Sequence, residues 1–177
     1  MKRMIFMGLL AGSMLAAMPA VPASAENAVW TQPSIINGET FNWSNPAYWL
    51  NGILPTAGDN VGFNLNASSQ LNTTVIYDVT APIVFGFVDI YDTPHTAPLT
   101  LSITGNTLSA DQLRVGTNAN LALSAGTLKT TGDEILYGRL SQSGGTNTIG
   151  KSLDLYIGTY TLTGGVLFTV EDEEITG

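Results

Sequence analysis

The chain has 177 residues, no cysteine, one histidine and a formal net charge of −8. The missing thiols exclude disulfides and thiolate metal sites, and a lone histidine cannot build a multi-histidine zinc site. The acidic balance repels nucleic acid and anionic membranes, so neither is an expected partner.

Residues 1–25 read as a signal peptide. Lys2 and Arg3 form a basic start, Met4 to Met18 is an uncharged apolar run, Pro19 and Pro22 break it, and Ala23-Ser24-Ala25 has the small-x-small form of a cleavage site. The run before Pro19 is shorter than the ~20 residues of a spanning helix, so no membrane span is expected after signal cleavage. The mature chain then begins near Glu26 and keeps four basic residues against 14 acidic ones, a net charge of −10. Its expected location is secreted, extracellular or at the cell surface.

Residues 26–62 form an aromatic-rich N-terminal cap segment. Trp30, Phe41, Trp43, Tyr48 and Trp49 are interleaved with Asn-Pro, Asn-Gly and Gly-Asp turn signals. Stacking on sugar rings is one use of such a cluster. Plugging the end of a core is the expected one, because each ring buries a large apolar area. Trp43 and Trp49 should then lie buried against strands around Val61-Phe63 and Val75-Tyr77. Residues 63–177 read as strands: Thr74 to Val79, Ile83 to Tyr91 and Leu99 to Ile103 alternate or run apolar. Pro94 and Pro98 bracket His95 in a loop, where the histidine is read as exposed and without chemistry.

From about Gly105 the chain repeats. Ser124-Ala125-Gly126, Ser143-Gly144-Gly145 and Thr163-Gly164-Gly165 place glycines 19 and 20 residues apart. Leu113-Arg114-Val115-Gly116, Ile135-Leu136-Tyr137-Gly138 and Leu155-Tyr156-Ile157-Gly158 form a second anchor in the same order. Recurrence at about 20 residues indicates stacked units. Counting from the first glycines gives the columns Leu121/Leu140/Tyr160, Leu123/Gln142/Leu162, Leu128/Asn147/Leu167 and Thr130/Ile149/Thr169. Counting to the second glycines gives Val115/Tyr137/Ile157 and Leu113/Ile135/Leu155. Each repeat thus holds three short period-2 stretches with glycine at the corners. The expected fold class is all-β: a right-handed parallel β-helix, or solenoid, with coils of about 20 residues. Val115, Tyr137 and Ile157 should face its core, and Glu134 and Asp154 solvent. Glu171 to Gly177 occupy the place of a further strand without a polar cap. The expectation is therefore truncation at the C-terminus, with an edge open to end-to-end self-association.

Two stretches carry a family resemblance. Phe41-Asn42-Trp43-Ser44-Asn45-Pro46-Ala47-Tyr48-Trp49, followed by Gly52, Pro55 and Ala57-Gly58-Asp59-Asn60-Val61-Gly62-Phe63, is one. Ser141-Gln142-Ser143-Gly144-Gly145-Thr146-Asn147-Thr148-Ile149 with Gly158-Thr159-Tyr160-Thr161-Leu162-Thr163-Gly164-Gly165 is the other. Together they resemble the autotransporter-passenger-like and PEP-CTERM-type exported bacterial repeat proteins, over roughly residues 40 to 177. That resemblance implies a surface-attached parallel β-helix, usually of unassigned biochemical role. The sorting segment and membrane barrel of such proteins are not found in the chain.

Four residues before the second set of glycines stand Gln112, Glu134 and Asp154, and Glu173 takes the same place if Gly177 is the next anchor. Stacked carboxylates repel, so Glu134, Asp154 and Glu173 are the calcium candidates, against the plainer reading of a solvated acidic face. No other cofactor is expected. Asp133, Glu134 and Asp154 with Arg139 and Lys151 contain the residue types of a polysaccharide lyase or hydrolase, but their spacing does not set them apart from surface charge. The expected function is therefore a non-catalytic structural or adhesin-like module, with extracellular polysaccharide or other surface proteins as partners. The alternative is a polysaccharide-active enzyme or carbohydrate-binding module on the same scaffold.

Overall fold

Alternation of apolar and polar residues dictates the architecture seen in the computed structural model, which describes residues 27–31, 38–63, 72–91 and 98–170. The leader, His95 and Glu173 lie outside the described residues. The strands are β1 (Asn27–Trp30), β2 (Thr40–Asn42), β3 (Asn60–Phe63), β4 (Thr73–Tyr77), β5 (Val84–Ile90), β6 (Leu99–Val115) and β7 (Ala119–Thr130). After them come β8 (Glu134–Leu136), β9 (Arg139–Gln142), β10 (Thr146–Ile149), β11 (Leu153–Leu155), β12 (Thr159–Leu162) and β13 (Val166–Thr169). All join one 13-stranded sheet through parallel ladders. The chain is all-β, and among the described residues no helix is long and apolar enough to cross a membrane.

The pairings sort into three ladders. One runs β2, β4, the first half of β6, β7, β9 and β12. A second runs from the later part of β6 through the end of β7 to β10 and β13. The third runs β1, β3, β5, the end of β6, β8 and β11. From Leu99 onward, each 19 to 21 residues contribute one strand to each ladder.

Side chains on the inner face form columns. Val75, Leu101, Leu121, Leu140 and Tyr160 are in register, as are Leu108, Leu128, Asn147 and Leu167. Leu123/Gln142/Leu162 and Thr130/Ile149/Thr169 also align as the repeat spacing requires. Most apolar members above the last repeat are fully buried. Each buried Leu, Ile or Val contributes about 1.5–3 kcal/mol relative to exposure. A partly exposed ion pair contributes about 0–1 kcal/mol, and Arg114–Asp89 is the only one among the described residues. The columns, not charges, therefore hold the ladders together. One corner per repeat is fixed by glycine: Gly126, Gly145 and Gly165 have φ of +79°, +68° and +85°. A Cβ at Gly145 would also press on the Gly126 carbonyl beneath it, so L side chains are barred twice over.

The third ladder corrects the expected register. Val115 pairs with Leu136, and Leu136 with Leu155. Tyr137 therefore turns outward, and Ile157 is 72% exposed. Glu134 pairs with Leu113 and Leu153 and lies wholly inside, not in solvent. The glycine anchor misled because it is not in register with the strands. It follows the last inner residue by one position at Gly116, two at Gly138 and three at Gly158.

The N-terminal aromatics pack as the sequence predicts. Trp30, Trp43 and Trp49 are 0%, 1% and 2% exposed. Trp43 meets Tyr77 and Phe63 edge-on with ring centroids 5.1 and 5.7 Å apart, and Trp49 meets Trp43 at 5.0 Å. The Trp49 indole N–H donates to the Trp43 carbonyl at 2.7 Å. Two short 3-10 turns, Pro46–Tyr48 and Leu50–Gly52, carry the chain past this cluster. Asn45 caps the first by accepting the Ala47 N–H, and Asn51 in the middle of the second has φ of +61°.

Candidate functional site

The acidic column does not form. Gln112 pairs with Phe87, Glu134 with Leu113, and Asp154 with Ile135. Glu134 and Asp154 thus project to opposite faces of the third ladder, one inward and one outward. Among the described residues no group of three or more His, Asp or Glu side chains gathers as a metal cluster. Asp133 accepts a hydrogen bond from the Ser152 hydroxyl at 3.0 Å. Glu134 shares no surface with Arg139 or Lys151, since it is buried and both of those are exposed.

Inside, Glu134 is the centre of a polar cluster. The Asn147 amide donates to its carboxylate at 2.9 Å and the Thr130 hydroxyl reaches it at 3.4 Å. Burial raises its pKa from 4.5 to about 7, and the two hydrogen bonds only partly offset that rise. The Asn147 carbonyl oxygen is buried without a hydrogen-bond partner. Gln142, one ladder away, donates to the carbonyls of Gly145 and Val166 at 3.2 and 3.0 Å and accepts the Tyr160 hydroxyl. Burial pushes the Tyr160 hydroxyl up to about 12. Both amides were legible in the sequence as breaks in apolar columns. Glu134 was not, because its inward position follows only from the shifted register.

The outer surface carries a different constellation, at the corner joining the third ladder to the first. Tyr91, Gly116, Tyr137 and Tyr156 each follow the registered inner residues Ile90, Val115, Leu136 and Leu155. Tyr137 and Tyr156 stack face to face, 4.9 Å apart and 8° from parallel. On the other wall, Asn120, Arg139 and Thr159 stand in register on β7, β9 and β12. Glycine lets the corner backbones approach each other: a Cβ at Gly138 would strike the carbonyls of Gly116 and Ala119, and one at Gly158 those of Leu136 and Gly138. Between the walls lies an open cleft of about 410 Å3, continued past Tyr137 and Thr117 by a second of about 200 Å3 beside Tyr91 and Arg114.

Arg114 is fixed in place. Its Nε donates to Asp89 at 2.9 Å, a second guanidinium nitrogen bonds the same carboxylate, and the charge lies 5.3 Å from the Tyr91 ring centroid. These contacts, the hydrogen bonds to Asp89 foremost, raise its pKa further. Arg139 differs: its Nε donates to the Ser141 hydroxyl at 2.9 Å, and among the described residues no carboxylate pairs with it. Sequence reading missed this corner because Tyr137 was assigned to the core. The buried tryptophans, by contrast, offer no open face for a sugar. The chain matches no family model, no curated protein and no solved structure.

Proposed function

We propose that the chain is an exported, non-catalytic β-solenoid module serving as a structural or adhesive element at the cell surface. The observation that carries this reading is the set of three parallel ladders, each receiving one strand from every 19 to 21 residues. Three ladders fed in constant order are what a chain winding as a right-handed parallel β-helix produces, because parallel crossovers in a sheet are right-handed. Stacked coils suit a surface role: they are extended, they repeat, and each presents the same outer face to a partner. The aromatic cluster around Trp43 then covers the first coil. The basic, apolar and small-residue order of residues 1–25 supports export, as does the resemblance of the repeats to autotransporter-like and PEP-CTERM-type proteins.

Expression of the full chain in a Gram-negative host, followed by fractionation and N-terminal sequencing, tests export. The expected product starts near Glu26 outside the cytoplasm, and retention of Met1 in the cytosol would refute the reading. The same material is to be assayed against acidic and neutral polysaccharides for cleavage. Turnover that disappears on Asp133→Asn or Asp154→Asn would replace the module by an enzyme.

A further inference from the structure

We propose that the corner lined by Tyr137, Ile157 and Arg139, with Tyr156 stacked on Tyr137, binds a carboxylate-bearing polysaccharide laid along the stack. The inference rests on the β-solenoid reading, since the groove exists only where successive repeats stack in register. Three observations carry it. The first is shape. The cleft of about 410 Å3 falls within the roughly 300–1,000 Å3 typical of ligand sites. Gly138 lies in its lining, where a Cβ would strike the carbonyls of Gly116 and Ala119.

The second is chemistry. Tyr156 is 61% exposed and Ile157 72% exposed, so apolar faces are offered to solvent beside the polar tips of Asn120 and Thr159. Sugar rings have apolar faces edged by hydroxyls and match that mixture. A flat protein partner would leave the amide and hydroxyl wall poorly used, and such groups are costly when buried unpaired.

The third is charge. Only four basic residues lie outside the leader, and two of them, Arg114 and Arg139, stand at this corner. Asp89 neutralises Arg114. Among the described residues no carboxylate pairs with Arg139, and its planar fork suits one. On a strongly acidic chain that charge selects a uronate over any other anion that also offers a ring to stack. The repeating walls, tyrosines on one side and Asn120, Arg139 and Thr159 on the other, require a ligand that itself repeats, hence a polymer and not a free sugar.

The test uses affinity electrophoresis and calorimetry of the mature chain with polygalacturonate, and with neutral galactan as comparison. Wild type is expected to bind polygalacturonate and to bind galactan more weakly. Arg139→Gln should lose about tenfold in affinity for polygalacturonate and little for galactan, a factor worth about 1.4 kcal/mol. Tyr137→Ala, which removes the lining ring, should weaken both. Circular dichroism confirms that each variant is folded. A separate Tyr137→Cys/Tyr156→Cys variant treated with a short bismaleimide reports the stacking itself: neighbouring parallel positions lie about 4.8 Å apart, within reach of such a reagent, and the chain has no other cysteine. Cross-linking with no polygalacturonate binding overturns the groove and leaves the fold standing. Failure to cross-link overturns the register, and the groove with it. Equal affinity for the two glycans, unmoved by Arg139→Gln, also sinks the proposal.

Discussion

A single carboxyl group in the core makes the fold respond to pH. In the folded chain Glu134 keeps its proton up to about 7, whereas its ordinary value is 4.5. Between those values the folded state binds the extra proton, so stability falls as pH rises from about 4.5 to 7 and levels off above. At about 1.4 kcal/mol per unit the loss is on the order of 3 kcal/mol. Thr130, Asn147 and Tyr160 are the polar groups that face it. Glu134→Gln should remove the slope in denaturant titrations at pH 5 and pH 8, and a slope unchanged in this variant would place the titration elsewhere. The cluster also predicts a sign reversal between single and double substitutions. Asn147→Leu alone should destabilise, because the carboxylate loses its 2.9 Å donor. Adding Glu134→Leu completes two leucine columns, Leu113/Leu153 and Leu128/Leu167. The double variant should then be at least as stable as the parent at pH 8.

At the scale of strands, the sequence showed some ladders clearly and one wrongly. The first two ladders were legible because their glycine step, Gly126, Gly145 and Gly165, sits in a corner with a fixed backbone and therefore keeps strict register with the strands. The third was misread, by one residue at Tyr137 and by two at Ile157, because its corner varies in length. From the last inner residue of the third ladder to the Leu121/Leu140/Tyr160 column of the first, the chain spends six positions at Val115–Leu121, four at Leu136–Leu140 and five at Leu155–Tyr160. Spacing between glycines records the corner, whereas pairing is decided by which side chains fit inside. That slip hid both Glu134 and the outward tyrosines, and so the candidate groove. The aromatic turns at residues 38–63 were legible as a buried cluster because rings so dense in sequence have nowhere else to go. Trp43 touches Trp49, Phe63, Tyr77 and Phe85. Trp43→Ala should therefore cost roughly 3–5 kcal/mol in equilibrium unfolding, the range for deleting a buried large aromatic. A loss below about 1 kcal/mol would show that these rings do not hold the first strands.

For the molecule as a whole, the two faces of the stack differ. Among the described residues β11, β12 and β13 pair on one side only, and Leu162, Phe168 and Val170 near them are exposed. A parallel edge paired on one side only, beside apolar side chains, is a template for a second chain. Near neutral pH the excess of 14 acidic over 6 basic residues opposes contact. Approaching pH 4 removes much of that charge, while protonation of Glu134 favours the folded state. Light scattering should therefore rise from pH 7 to 4 with the β signal in circular dichroism intact. Association that appears only as that signal is lost would point to unfolding and not to edge pairing.

The clustering of every tryptophan at one end has an optical consequence. Trp49 packs against both Trp30 and Trp43, while the repeats from Leu99 onward contain tyrosine but no tryptophan. Indole emission is thus a gauge of the first layers alone, and far-ultraviolet ellipticity an average over all of them. A stack with interactions only between neighbours frays from its weaker end. Heating such a chain should separate the two signals, ellipticity falling first as β11 to β13 peel away, with the indole band shifting red only when the last layers open.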